Sequence, residues 1–137
     1  MIRPLRVLAR LILVAATALG CTKTRSEPED APVATNGSED PAEQAAHFDR
    51  KCVGGDLEAC RQLGVMYAAG TGVSPDLRRS TALFVQACSG NNLAACNALA
   101  LALAEGIGVE RQPVKAIDVY QKACDAGYKL ACRNLKT

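Results

Sequence analysis

The chain has little of what β-sheets, metal sites and nucleic-acid-binding surfaces are usually built from. Aromatic residues make up 4% of its 137 residues, tryptophan is absent, and His47 is the single histidine. The 49% of apolar residues are dominated by alanine and leucine, which favour tightly packed helices. Residues 44–137 carry 11 basic and 8 acidic side chains, an excess too small to indicate a nucleic-acid partner.

Long apolar runs are also missing, and the longest one lies at the N-terminus. Leu11 to Leu19 follow the basic residues Arg3, Arg6 and Arg10. Nine residues fall well short of the roughly 20 that a membrane-spanning helix needs. The run matches the apolar core of a signal peptide, so residues 1–20 are predicted to be an export signal.

Cys21 follows this signal in the sequence ALGC, which resembles a bacterial lipobox. The chain has seven cysteines, and Cys21 is the one outside the repeats described below. Lipidation would remove an otherwise unpaired thiol, so Cys21 is the predicted lipidation site of a lipoprotein. An ordinary secretory signal cleaved after Ala18 is the alternative, because Ala18 stands where a lipobox usually has leucine.

Residues 21–41 are predicted to be the lipidated cysteine and a disordered tether. After Cys21 the segment is rich in Pro, Ser, Thr, Asp and Glu, and Val33 is its one large apolar residue. Such a composition buries too little surface to offset the entropy of ordering. The prediction is therefore an exported domain in the bacterial cell envelope, in the periplasm or at the cell surface, held to the membrane by the lipid anchor only.

The remainder of the chain repeats itself every 36 residues. The segments CVGGDLEAC, CSGNNLAAC and CDAGYKLAC begin at Cys52, Cys88 and Cys124. Residues 52–87 and 88–123 are identical at 11 positions, which mark two helices separated by a Gly-x-Gly-Val turn. A period in the mid-thirties with two helices per unit is typical of a helical solenoid.

The predicted fold class is therefore all-α, an α/α helical-repeat solenoid over residues 42–137. Its units are about 36 residues long, and there are two full repeats. Half-repeats at residues 42–52 and 129–136 flank them. Gly70 is expected to end one helix, and Pro113 to occupy the first turn of another.

The six repeat cysteines predict one disulfide per repeat junction. Residues eight apart in one continuous helix are about 12 Å apart, whereas a disulfide needs Cα atoms within about 7 Å. Pairing therefore requires a chain reversal, which Gly90 followed by a helix cap at Asn91 or Asn92 allows. The favoured pairs are Cys52–Cys60, Cys88–Cys96 and Cys124–Cys132. The rival pairs Cys60–Cys88 and Cys96–Cys124 also suit antiparallel helices, but they leave Cys52 and Cys132 unpaired.

Metal and redox chemistry explain the cysteines less well. Structural zinc sites prefer two to four residues between ligands and often include histidine. Redox catalysis prefers Cys-x-x-Cys, a motif that the chain lacks. No metal and no cofactor are therefore expected.

The segments LGVMYAAGTGVSPDLRRSTALFVQAC and LALALAEGIGVERQPVKAIDVYQKAC resemble Sel-one-like repeats, which are relatives of the tetratricopeptide repeats. The cysteine pair at spacing eight resembles the Helicobacter cysteine-rich protein branch of that family. The resemblance covers residues 44–137 and implies an α/α superhelix that binds other proteins or peptides. Some cysteine-rich members carry a β-lactam-binding or β-lactamase label, which makes a β-lactam-binding protein or a weak hydrolase the alternative function.

Catalytic motifs for that alternative are missing from the sequence. A serine β-lactamase uses Ser-x-x-Lys, and none of the five serines is followed three residues later by lysine. A metal-dependent enzyme needs more than one histidine. No catalytic residue is therefore predicted, and whether the chain is an enzyme stays open.

The expected function is an envelope-anchored module, predicted to be monomeric, that binds a protein, a peptide or another envelope component. In helical solenoids the first helices of successive repeats line a concave binding face. Two arginines at equivalent repeat positions would favour a carboxylate-rich ligand. By the 36-residue register, the candidate binding residues on this face are Glu58, Arg61, Val65, Ala94, Asn97, Leu101, Leu130 and Arg133.

Overall fold

The computed structural model of the protein describes residues 40–136. They form six helices joined by short turns, and no strand occurs within this range. The predicted signal peptide, Cys21 and all of the predicted tether before residue 40 lie outside the described residues. The helices are α1 (Pro41–Val53), α2 (Leu57–Ala69), α3 (Leu77–Ser89), α4 (Leu93–Glu105), α5 (Pro113–Asp125) and α6 (Lys129–Asn134).

Short polar side chains begin most of these helices. Asp56 accepts hydrogen bonds from the backbone N–H groups of Glu58 and Ala59, both at 3.0 Å. Asn92 accepts one from Ala95 at 2.9 Å, which confirms it as the cap that the sequence suggested. Asp40 and Asp76 cap α1 and α3 in the same way. Each cap satisfies backbone donors that have no partner inside their own helix.

Glycine ends four of the five long helices, and its conformation decides where the chain turns. Gly70 and Gly106 follow α2 and α4 with φ of 72° and 75°, the left-handed conformation that glycine adopts without steric cost. Gly90 ends α3, and the chain reverses immediately into α4. The predicted stops at Gly70 and Gly90, and the predicted first-turn position of Pro113, are confirmed.

Each helix packs against the next one in the chain, and small residues allow close approach. Ala59, Ala87 and Ala95 are at most 3% exposed and lie in the core around Leu63. Gly64 on α2 leaves room for Phe84 on α3, since a Cβ at this glycine would come within 2.7 Å of the Phe84 ring. Because many of the buried residues are alanine, the helices pack closely and the core between them is thin.

The helix order confirms the predicted solenoid. The pairs α2–α3 and α4–α5 are the two full repeats, and α1 and α6 are the flanking half-repeats. The apolar spacing of Leu77, Leu83, Phe84 and Ala87 in the sequence predicts that all four lie on one buried face of α3. The prediction is wrong for Leu77, which is 46% exposed. It is the first residue of α3, and burial in this helix begins three residues later with Ser80.

None of the helices within residues 40–136 is both long and apolar enough to cross a membrane.

Candidate functional site

The candidate site is the surface carried by the first helix of each repeat, namely α2, α4 and α6. We call it the first-helix face and define it by Glu58, Arg61, Val65, Ala94, Asn97, Leu101, Leu130 and Arg133. Three apolar side chains on it remain substantially exposed: Val65 at 42%, Leu101 at 48% and Leu130 at 38%. Because these side chains are not used in the core, they are available to a ligand.

At the α2 end of this face, Glu58 and Arg61 are bound to each other. The Arg61 Nε donates to both carboxylate oxygens of Glu58 at 3.0 Å, and its second terminal nitrogen lies 2.6 Å from Oε1. The hydrogen bond from Arg61 is the main cause that lowers the pKa of Glu58 to about 2. The same contact raises the pKa of Arg61. A carboxylate ligand would therefore compete with Glu58 for this guanidinium.

Two hydrogen bonds connect the first helices across the repeat boundaries. The amide of Asn92, the residue that caps α4, donates to Glu58 on α2 at 3.0 Å. The amide of Asn134 on α6 donates to Asn97 on α4 at 2.9 Å. These bonds place α2, α4 and α6 side by side, so the predicted face is formed by neighbouring helices.

Asn92 and Asn134 were not among the predicted site residues. Asn92 was recognised only as a helix cap, and its second role depends on a contact 34 residues away in sequence. Asn134 reaches a residue 37 positions earlier. Both separations lie within two residues of the repeat period, and this is the signal that could have identified these contacts.

Arg133 and Asn97 differ in how much they offer to a ligand. Arg133 is exposed on α6, whereas Asn97 is half-buried and already bonded to Asn134. The side chain of Arg61 is only 23% exposed. Positions 61, 97 and 133, which are equivalent by the 36-residue register, are therefore chemically different, and Arg133 is the more accessible of the two arginines.

The predicted disulfides are present at all three repeat junctions. Cys52–Cys60, Cys88–Cys96 and Cys124–Cys132 have Cα–Cα distances of 4.6, 4.5 and 4.7 Å. The rival pairing of Cys60 with Cys88 and of Cys96 with Cys124 is therefore wrong. Each bond fixes the end of one repeat's second helix against the start of the next first helix, and so holds the first-helix face in register.

Other parts of residues 40–136 offer less to a ligand. A polar depression of about 330 Å³ lies on α1 and is lined by Glu43, Gln44, Ala46, His47 and Arg50. One helix alone forms it, so groups from different elements do not converge there. Within the described range, no group of three or more His, Cys, Asp or Glu side chains is placed to hold a metal ion.

Comparison with protein-family models decides the classification of the chain. The Sel1 repeat model matches residues 57–92 and 93–128, which correspond to α2–α3 and α4–α5 with the junctions that follow them. The chain belongs to the Sel1 repeat family. Sel1 repeats typically act as protein-interaction modules. A comparison with curated protein sequences found no match.

Three solved structures illustrate the similarity to other Sel1 repeat proteins. Helicobacter pylori cysteine rich protein B is 28% identical, has a TM-score of 0.69, and is matched over 74% of this chain and 76% of its own. A protective antigen of uropathogenic Escherichia coli with an SLR fold is 31% identical, with a TM-score of 0.67. The match covers 69% of this chain but only 20% of that antigen. A Sel1 repeat protein from Oxalobacter formigenes is 32% identical, with a TM-score of 0.63 and coverage of 65% and 67%.

Proposed function

We propose that this Sel1 repeat protein is an exported binding module, without a catalytic role, that holds an acidic peptide or acidic protein segment on the first-helix face. The observation that carries the proposal is that Val65, Leu101 and Leu130 are exposed on the first helices α2, α4 and α6, and that Arg133 is exposed on the same helix as Leu130. Apolar side chains supply area, and an accessible arginine can bind a carboxylate with two hydrogen bonds.

The ligand's carboxylates would engage Arg133 first. Arg61 is already neutralised by Glu58 through a short bidentate contact, so a ligand gains little net charge interaction there. Leu101 lies on the neighbouring helix α4, which suits an extended or helical segment with an apolar residue near its acidic group. The expected ligand is therefore a peptide that combines acidic and aliphatic side chains.

Export and anchoring form the second part of the proposal. Three junction disulfides support an oxidising compartment, because disulfides persist in exported proteins and are rare in reducing cytoplasm. The basic-apolar sequence at residues 1–20 and Cys21 support a lipid-anchored envelope protein that works as a monomer at the end of a tether.

A titration with matched peptides tests the binding function. The probes are a fluorescent peptide of alternating Glu and Leu and its counterpart with Gln in place of Glu. The wild type is expected to bind the Glu peptide at least tenfold more tightly. Arg133→Ala should remove this preference, and Leu101→Asp should weaken binding to both peptides.

Lys122→Ala, which removes an exposed cation from α5, is the matched control and should leave both affinities unchanged. Equal affinity of the wild type for both peptides would contradict the acidic-ligand proposal. Turnover of a chromogenic cephalosporin by the purified protein would contradict the non-catalytic part.

A further inference from the structure

A small groove lies where α1 and α3 approach each other across α2. Its volume is about 230 Å³. Residues of α1 and α3 form its two sides and residues of α2 lie between them, so helices of the chain itself bound the groove. We call it the α1–α3 groove and define it by the residues Ala42, Ala45, Ala46, Asp49, Tyr67 and Arg79.

Two opposite charges face each other in this groove without a hydrogen bond between them. A terminal nitrogen of Arg79 lies 3.7 Å from a carboxylate oxygen of Asp49. Hydrogen bonds between nitrogen and oxygen span about 2.7–3.2 Å. The two side chains are 54% and 49% exposed, and neither charged group makes another side-chain hydrogen bond within residues 40–136. Both groups therefore keep donors and acceptors that a ligand can use.

The ring of Tyr67 holds the guanidinium of Arg79 in place. The central carbon of this guanidinium lies 4.7 Å from the centre of the ring, which is within the range of a cation–π interaction. Tyr67 is half-buried on α2, so the ring is a fixed platform for the longer arginine side chain. A cation that is already positioned loses less conformational freedom when a ligand binds.

The 36-residue register shows that the repeat fold does not require this charged pair. The equivalent positions of the next unit contain no acid and no aromatic ring, since Asp49, Tyr67 and Arg79 correspond to Val85, Leu103 and Lys115. The helices of that unit nevertheless pack in the same order. The ion pair and the ring are therefore additions to the fold of this chain, and binding is a reason for them to be there.

Small side chains on α1 leave space beside Asp49. Ala42 and Ala45 correspond to the larger residues Arg78 and Thr81 on α3. Thr81 is 3% exposed, and its hydroxyl donates at 2.8 Å to a backbone carbonyl in the turn after α4. The alanines of α1 extend no further than a methyl group, so this part of the groove can take the side chain of a ligand.

We propose that the α1–α3 groove binds a small zwitterion, namely a free α-amino acid with an aliphatic side chain. Its carboxylate accepts hydrogen bonds from the guanidinium of Arg79, and its ammonium group donates to the carboxylate of Asp49. The four charges alternate in sign, so each lies beside charges of the opposite sign. The aliphatic side chain lies against Ala42, Ala45 and Val73, which line the same groove.

Charge and size both favour this class of ligand. The pair of Asp49 and Arg79 has no net charge, so an anion would be repelled by Asp49 and a cation by Arg79. The volume of about 230 Å³ is below the roughly 300–1,000 Å³ of pockets that hold drug-sized ligands. The α1–α3 groove shares no residue with the first-helix face, so this inference does not depend on the proposed peptide binding.

Isothermal titration calorimetry of the full chain with L-leucine tests the proposal. The matched ligands are N-acetyl-L-leucine, which lacks the ammonium charge, and L-leucine methyl ester, which lacks the carboxylate. The wild type should bind L-leucine saturably and each derivative at least tenfold more weakly. Asp49→Asn should remove the preference over the N-acetyl derivative, and Arg79→Gln should remove the preference over the methyl ester.

Lys115→Gln is the matched control, because Lys115 is exposed on α5 at the position equivalent to Arg79 and lies outside the groove. It should leave the affinity unchanged, whereas Ala46→Phe, which fills the groove and keeps both charges, should abolish binding. Circular dichroism verifies that the variants fold. Absence of saturable binding by the wild type up to about 10 mM L-leucine, or equal affinity for L-leucine and both derivatives, would overturn the proposal.

Discussion

At the scale of single residues, two glycines do more than turn the chain. Gly72 and Gly108 have φ of 71° and 67°, and each lies directly against the backbone at the start of an earlier helix. The second glycine of each Gly-x-Gly-Val turn is therefore needed for two reasons. It adopts a left-handed conformation, and it lets two backbones approach where any side chain would separate them.

We expect Gly72→Ala to lower the free energy of unfolding by about 3 kcal/mol or more, because the added methyl collides with the Pro41 carbonyl. Gly55→Ala is the matched control. Gly55 has a φ of 96°, but its Cβ would have no neighbour within 4 Å. The control should therefore lose only about 1 kcal/mol from backbone strain. Urea unfolding followed by circular dichroism gives both values, and equal losses would contradict this explanation.

Glu58 predicts how the stability changes in acid. Its pKa is lowered from 4.5 to about 2 in the folded chain, chiefly by the hydrogen bond from Arg61. A lowered folded-state pKa stabilises the protein above the ordinary value, and this contribution is lost as the pH falls from about 4.5 through about 2. Because the Glu58 side chain is 54% exposed, the contribution should be under about 1 kcal/mol.

Glu58→Gln should therefore be less stable than the wild type at pH 7, and the two should converge as the pH approaches 2. Thermal unfolding scans across this pH range measure the difference. Glu110→Gln, an exposed substitution between α4 and α5, serves as the control and should show no such convergence. A Glu58→Gln deficit that stays constant down to pH 2 would mean that the carboxylate charge is not the cause.

At the scale of helices and turns, each repeat junction combines a helix end, a reversal and a disulfide. The chain reverses over three residues between Ser89 and Leu93, and the reversal brings Cys88 and Cys96 within 4.5 Å at their Cα atoms. The disulfide then holds the hairpin closed. Since the described domain is small and its core is thin, such links contribute a large share of its stability.

We expect Cys88→Ser/Cys96→Ser to lower the free energy of unfolding by about 2–3 kcal/mol, on the loop-entropy estimate for a short closed loop. Unfolding in urea measures this loss. Alkylation of the unreduced protein, followed by intact-mass measurement, should label none of the six repeat cysteines. Labelling of two or more of them would show that the pairs do not form in the protein.

The helices themselves were well specified by local sequence. Asp56, Asp76 and Asn92 act as caps and Gly70 acts as a stop, because each effect depends on a residue and its near neighbours. Leu77 was predicted to be buried but is exposed. Periodicity shows which side of a helix faces the core, but it does not show at which residue the neighbouring helix begins to cover that side.

At the scale of the whole molecule, membrane attachment is predicted from the sequence alone, because Cys21 lies outside the described residues. We predict that Cys21 carries lipid, because it follows a signal-like segment and is the odd cysteine of seven. Metabolic labelling of expressing cells with a fatty-acid analogue should mark the wild type and not Cys21→Ser. Label that persists in the variant, or that never enters the wild type, would contradict the prediction.

The sequence by itself determined the repeat period, the helix pairs and the caps, and it favoured the cysteine pairs that the structure contains, because these depend on local chemistry repeated every 36 residues. Only the tertiary structure decided which side chains of the first-helix face are already paired within the chain. Glu58 neutralises Arg61 while also accepting from Asn92, and Asn97 is held by Asn134. In a repeat protein, side chains at equivalent positions point the same way relative to their own helix. Which residues they contact depends on the neighbouring helix, and the neighbouring helix differs between the ends and the middle of the stack.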